Sequence, residues 1–223
     1  MRSHESIQPT IENRASFEKR ISTLPYNHQV HIRRAYNLAK EAHREDLRED
    51  GERYFEHVRS VFNILFDEAG VKDPILGAAA FLHDAIEDTD IRGEIEGRTN
   101  SEIRAQGGTM IENWFGQETS RITLALTKPF VDGVEICDKK HKDDVYHPQL
   151  EEGGPRTIVV KMADRLHNLR TLGARSKENQ MKIIHETIHE YFPLFETTRD
   201  VFPEATDYLL KEMKLAIARL GIN

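Results

Sequence analysis

Apolar residues recur three and four positions apart along most of the chain, the spacing of helices with one buried face. From Gln29 to Asp46 the repeat runs through Val30, Ala35, Leu38, Ala39 and Ala42, and Asp50-Gly51 breaks the pattern that follows. Arg53 to Glu68 reads as a second helix with Val58, Val61, Phe62 and Leu65 turned inward, closed by Gly70. Pro74 suits the first turn of a third helix, which runs through Leu76-Gly77-Ala78-Ala79-Ala80-Phe81-Leu82. A run so small and apolar on every side predicts a buried helix with close neighbours. Asp88 to Gly108 is polar and punctuated by glycine, so it reads as a long loop or insert with a short helix. Helical spacing resumes from Met110 to Thr127, where Pro129 stops it, and returns over Thr157–Leu172, Lys177–Phe192 and Val201–Ile222. No segment alternates as a strand would. The pattern predicts an all-α bundle: an N-terminal extension over residues 1–27, then one domain over 28–223. Within that domain lie a polar insert at about 90–108 and a mobile, partly helical basic flap at about 132–155, which carries Lys139, Lys140 and Lys142.

Composition narrows the function classes. A chain of 223 residues suits one domain, and no run approaches the ~20 apolar residues of a membrane span. The first twenty residues are polar and mixed in charge, unlike a secretory signal, and one cysteine, Cys137, excludes an internal disulfide framework. The expectation is a cytoplasmic protein. A net charge of −7 argues against a nucleic-acid partner, and nothing suggests a membrane partner. A small phosphorylated nucleotide remains open as a ligand, because it needs only a local basic pocket. The sequence leaves the oligomeric state open.

The densest chemistry lies in Phe81-Leu82-His83-Asp84-Ala85-Ile86-Glu87-Asp88-Thr89. Side chains three or four apart share a helix face, so His83 can meet Glu87, and Asp84 can meet Asp88. His57 upstream and Asp164 downstream complete a set of two imidazoles and two carboxylates. That donor mix suits Mn²⁺, Fe²⁺, Co²⁺ or Zn²⁺ better than Ca²⁺ or Mg²⁺, which favour oxygen alone. His57, His83, Asp84 and Asp164 are therefore the expected metal ligands. Glu87 and Asp88 are the expected catalytic carboxylates, orienting a water and accepting its proton.

The order His…His-Asp…Asp on helical segments resembles the HD phosphohydrolase superfamily. Glu87-Asp88-Thr89 and Ala163-Asp164-Arg165-Leu166-His167-Asn168 are similar to the hydrolase domain of the RelA/SpoT alarmone enzymes, especially the small stand-alone hydrolases. The likeness spans about Gln29 to Leu172, including Ala42-His43, Arg48-Glu49-Asp50-Gly51-Glu52 and Tyr54. It implies an HD-domain bundle that releases pyrophosphate from the 3′ position of guanosine 3′,5′-bis(diphosphate) through a metal-activated water. The implied cofactor is one divalent ion, Mn²⁺. It also implies that Arg48 lies against the guanine base, a role that suits a planar guanidinium, and that Asn168 and Thr171 line the nucleotide pocket. Lys161, one turn before Asp164, would meet phosphate. No synthetase block is present, which implies hydrolysis only.

Glu49 stands where the family has a basic residue after the arginine, Val58 replaces a proline, and the stretch from Thr89 to Thr127 is longer than the family pattern. These departures keep other readings open: an HD enzyme acting on another nucleotide (a 5′-nucleotidase, a deoxynucleoside triphosphatase or an adenine alarmone hydrolase), or a non-catalytic alarmone-binding protein. His185-Glu186-Thr187-Ile188-His189 matches the short zinc-peptidase motif. No third ligand follows it, and Pro193 comes almost at once, so Ile184 and Ile188 are expected instead to form the buried side of a helix.

Overall fold

The structure is a computed structural model and describes residues 14–48, 51–88, 100–128, 130–131, 134–135 and 139–221. Within these, the side chains of Asp88, Asn100, Ile103 and residues 130–144 are not described. Helix follows helix: α1 (Arg14–Ile21), α2 (Tyr26–Ala42), α3 (Tyr54–Asn63), α4 (Pro74–Leu82), α5 (Ala85–Asp88), α6 (Asn100–Phe115) and α7 (Gln117–Leu126). After them come α8 (Lys139–Thr171), α9 (Lys177–Glu186), α10 (Phe192–Glu196) and α11 (Pro203–Arg219). A two-residue antiparallel pair, β1 (Phe130–Val131) with β2 (Val134–Glu135), is a small exception to the strandless expectation. The fold is all-α.

The core forms around two helices buried on nearly every side. In α4, every residue from Leu76 to Leu82 is buried. Asp73 starts this helix by accepting the Ile75 and Leu76 amide hydrogens at 2.8 and 3.1 Å, with Pro74 in the first turn. Gly77 lets Phe62 of α3 come close, since a Cβ there would lie 3.1 Å from its ring. The second half of α8 is the other axis, burying Ile158, Val159, Val160, Met162, Ala163, Leu166 and Leu169. In the segment expected as an N-terminal extension, α1 seats Phe17 on the rings of Tyr36, Phe62 and Phe81.

Several boundaries differ from the periodic reading. Helix α2 stops at Ala42, four residues early. His43 leaves the helix to stack on Tyr54, with ring centroids 4.7 Å apart, and to pair with Asp46 at 3.0 Å. Apolar spacing from Met110 to Thr127 continues across a break, where Gly116 takes φ +84° and divides α6 from α7. The stretch expected as loop and insert already becomes α6 at Asn100, while its residues 89–99 lie outside the described residues. Most of the flap region is helix: α8 begins at Lys139 and bends at Gly154, φ +73°, before Pro155 starts its buried half. The lysine side chains at 139, 140 and 142 lie outside the described set.

The last correction concerns Ile188. After α9 the chain takes one π turn over Thr187–Tyr191, whose five-residue hydrogen bonding shifts the inward face. Thr187 and Tyr191 become buried and Ile188 is 40% exposed, while Ile184 is buried as expected.

Candidate metal and nucleotide site

Three elements far apart in sequence deliver the site. His57 sits in the first turns of α3, His83 and Asp84 at the junction of α4 and α5, and Asp164 midway along the buried half of α8. Ligand atoms of His57, His83 and Asp164 all lie within 4.8 Å of one another, and all three side chains are buried. Asp84 lies beside the two imidazoles. Its Oδ2 lies 3.4 Å from His57 Nε2 and 3.0 Å from His83 Nε2, and it accepts the Tyr54 hydroxyl at 2.8 Å. Asp164 Oδ1 lies 3.3 Å from His57 Nε2 and 3.8 Å from His83 Nε2.

The donor chemistry fits a divalent ion. His83 Nδ1 donates to the Ala80 carbonyl at 2.9 Å, so Nε2 is the ring atom turned to the carboxylates. That Nε2 is buried and makes no hydrogen bond of good geometry. A buried polar atom left in that condition is what a bound cation would satisfy.

Electrostatics point the same way. Burial alone would push the Asp84 and Asp164 carboxyls up, but neighbouring positive charge overcomes it. His83 and His57 hold Asp84 well below the usual carboxylate range, and Lys161 with the two histidines does the same for Asp164. Burial works against a charged His83, but Asp84 and then Asp164 outweigh it and raise its pKa to about 9 without metal.

Of the other expected residues, Glu87, Lys161, Asn168 and Arg48 are held at or beside the cluster by varied contacts. Glu87 lies one turn beyond His83, and its carboxylate pairs with the Lys128 ammonium and accepts the Lys128 amide at 3.1 Å. The Asp88 side chain lies outside the described residues. Lys161 is largely buried and pairs with Asp164 at 2.9 Å. Asn168 donates to Asp164 Oδ1 at 2.7 Å and accepts from Arg48 Nη2 at 3.1 Å. Thr171 is not joined to the cluster; its hydroxyl donates to the His167 and Asn168 carbonyls at 3.2 and 3.3 Å. Arg48 arrives because the chain turns back at Gly51, φ +83°, and the Arg48 amide bonds to the Glu52 carbonyl at 2.8 Å.

No protein-family profile matches the chain. Curated relatives do. Over 164 residues it is 36% identical to a probable guanosine-3′,5′-bis(diphosphate) 3′-pyrophosphohydrolase of Synechocystis, covering 73% of this chain and 19% of that protein. Over 179 residues it is 33% identical to the guanosine-3′,5′-bis(diphosphate) 3′-pyrophosphohydrolase of Aquifex aeolicus, covering 79% and 23%. A GTP pyrophosphokinase of Brucella melitensis is 33% identical over 173 residues, covering 73% and 20%. The chain thus spans about a fifth of the length of these relatives. Among solved structures it is similar to a metazoan ortholog of SpoT that hydrolyses ppGpp. That likeness has a TM-score of 0.62 at 20% identity, over 86% of this chain and 97% of that one.

The fold is an HD-type helical bundle. In sequence and fold the chain resembles the RelA/SpoT hydrolase domain, and three residues at or beside this cluster escaped sequence reasoning. Lys128 follows α7 and faces Glu87. Arg104 of α6 donates to the carbonyls of Leu124, Thr127 and Lys128 at 2.9, 2.9 and 3.0 Å, capping α7 and so placing Lys128. His167 lies behind His57, their Nδ1 atoms 2.9 Å apart. Burial, then the neighbouring His57 and Arg48, push the His167 pKa down to about 2, so its ring is neutral. Only the His167 position carried a sequence signal, three residues beyond Asp164 on a helix. The peptidase-like motif is spent elsewhere: Glu186 pairs with Arg165 at 3.2 Å, and the His185 and His189 rings lie 4.2 Å apart on the surface.

Proposed function

We propose that the chain is a metal-dependent phosphohydrolase of guanosine 3′,5′-bis(diphosphate)-type alarmones, releasing pyrophosphate from the 3′ position. The observation that carries the reading is the convergence of two imidazoles and two carboxylates from α3, the α4–α5 junction and α8. It does so in a chain related to two named 3′-pyrophosphohydrolases. His57, His83, Asp84 and Asp164 would hold one divalent ion, and we choose Mn²⁺ from those that mixed nitrogen and oxygen donors suit. Such an ion, when bound, acidifies a water and offsets charge on a phosphoryl oxygen.

The chain's own groups do the rest. Glu87 and Asp88 orient the water and accept its proton, as carboxylates beside a cation can. Lys128 lies against Glu87 and is within electrostatic reach of Asp84, so it supplies positive charge where phosphate negative charge would collect. Arg48, Asn168 and Thr171 line the nucleotide side, and Lys161 steadies Asp164 before it meets any phosphate. The reading puts the enzyme in the cytoplasm, in keeping with its single cysteine.

The test is product analysis after incubating metal-stripped protein with guanosine tetraphosphate, with Mn²⁺ restored or withheld. Guanosine 5′-diphosphate and intact pyrophosphate should form only with Mn²⁺. Release of single phosphates, or no turnover beside tight nucleotide binding, would replace the reading with another phosphohydrolase or with a binding protein.

A further inference from the structure

On the side of His57 away from the carboxylates, three nitrogens meet. His57 Nδ1 lies 2.9 Å from His167 Nδ1, and Arg48 Nη1 lies 3.2 Å from that same His167 atom. A guanidinium nitrogen only donates. His167 Nδ1 must therefore present its lone pair, and the ring carries its hydrogen on Nε2. A nitrogen presenting a lone pair cannot donate to His57. The 2.9 Å contact is a hydrogen bond only if His57 Nδ1 carries hydrogen and donates it, sharing the lone pair with Arg48.

That assignment leaves His57 Nε2 as the only atom of the ring able to ligate. It is also the atom that faces Asp164 at 3.3 Å and Asp84 at 3.4 Å. Beside two carboxylates, a neutral imidazole would otherwise prefer the opposite form, with its hydrogen on Nε2 donating to them. The Arg48–His167 pair opposes that preference. The same guanidinium reaches a second ligand. Nη2 donates to Asn168 Oδ1 at 3.1 Å, and Asn168 Nδ2 donates to Asp164 Oδ1 at 2.7 Å. Asn168 is thereby fixed with its oxygen towards Arg48 and its amide hydrogens towards the carboxylate.

We propose that Arg48 and His167 are positioning residues for the metal centre: Arg48 selects the tautomer of His167, and His167 selects the tautomer of His57 that keeps Nε2 free to ligate. The inference rests on the metal reading of the cluster made above. It gives Arg48 a part in metal affinity as well as in nucleotide contact. By linkage, a ligand that draws Arg48 off His167 changes the grip on the ion, and the ion changes the grip on that ligand equally.

The experiment is Mn²⁺ titration calorimetry on the full chain without nucleotide, comparing wild type with His167→Phe, His167→Asn and Arg48→Met. His167→Phe should weaken Mn²⁺ by about 10- to 100-fold, the range for lost outer partners of metal ligands, and Arg48→Met should weaken it in the same direction. His167→Asn keeps an oxygen on Cγ, where Nδ1 stands, that can accept from both neighbours, and should recover most of the loss. A merely structural role would weaken the Asn and Phe variants alike, which would overturn the tautomer argument, as would wild-type affinity in both His167→Phe and Arg48→Met. Long-range ¹H–¹⁵N NMR on metal-free wild type is independent of how any variant folds. It should show hydrogen on His57 Nδ1 and a lone pair on His167 Nδ1; hydrogen on His167 Nδ1 overturns the proposal. Wild type that binds no Mn²⁺ at all would sink the metal reading itself, an outcome distinct from either failure.

Discussion

His83 shows how one side chain can be read as poised for a cation. Its Nδ1 is committed to the Ala80 carbonyl, so whatever occupies Nε2, a proton or a metal, does so between Asp84 and Asp164. Without metal that occupant is a proton, because the two carboxylates outweigh burial and raise the pKa to about 9. The sign follows directly. The raised pKa stabilises the metal-free fold fully below the ordinary value of 6.5, and that contribution is lost as pH rises through about 9. A metal must displace the same proton, so Mn²⁺ affinity should climb by up to about tenfold per pH unit from neutrality and level off near pH 9. Calorimetry in buffers of differing ionisation enthalpy counts the released proton, and flat affinity from pH 7 to 9 would contradict the assignment. Substitutions separate holding from chemistry. Asp84→Asn should abolish Mn²⁺ uptake and turnover together, because Asp84 bridges both imidazoles. Glu87→Gln keeps an acceptor for the Lys128 amide and should retain the metal while turnover falls by about 10²-fold or more. Single-turnover assays at saturating Mn²⁺ distinguish the two results.

Among elements, the packing of α7 against α8 supports the Arg104 cap in placing Lys128, and Gly153 lies at a close contact between the two helices. A Cβ at Gly153 would lie 2.7 Å from Thr157 Oγ1 and 2.9 Å from Ala125 Cβ, and Arg121 donates to the Gly153 carbonyl at 2.8 Å. Gly153→Ala should therefore destabilise by about 1–3 kcal/mol, as overpacking does, lowering Tm by roughly 2–4 °C for each kcal/mol in a domain this size. Scanning calorimetry measures it, and an unchanged Tm would mean that α7 and α8 part easily. None of this was visible along the sequence, where Gly153 falls in the stretch read as a mobile, partly helical flap. By contrast, α4 and its motif were legible because Pro74 in the first turn and an unbroken apolar run agree with one another, and the Asp73 cap adds to them in the structure. The break at Gly116 was not legible, because apolar spacing runs on through it. The π turn at Thr187–Tyr191 misled the assignment of Ile188, since a period of 3.6 cannot register a five-residue winding. The four proposed ligands could be named because each carries its own chemistry in a helical context. Lys128 could not, because its partner Glu87 lies 41 positions away and nothing local marks the pairing.

For the whole molecule, the decisive property is that the site exists only when the bundle is assembled. His57, His83–Asp84 and Asp164 come from helices that the core alone brings together, through Phe62 and Phe81 between α3 and α4 and through the buried half of α8. An unfolded chain cannot present this set, so metal binds the native state almost exclusively and stabilises it by mass action. Mn²⁺ at about 100 times its dissociation constant should add about 2.7 kcal/mol. For a domain of this length that corresponds to a rise of roughly 5–11 °C in Tm, reversed by a chelator. The control lies in the same chain. Asp164→Asn should erase the rise, whereas replacing His185 and His189 together by alanine should leave it intact, because both residues are exposed and their rings lie against each other. A shift that survives Asp164→Asn but disappears with the double alanine variant would move the metal site to the C-terminal helices and with it the proposed chemistry. A shift that follows Asp164 ties the stability of the fold to the same four side chains that carry the proposed reaction.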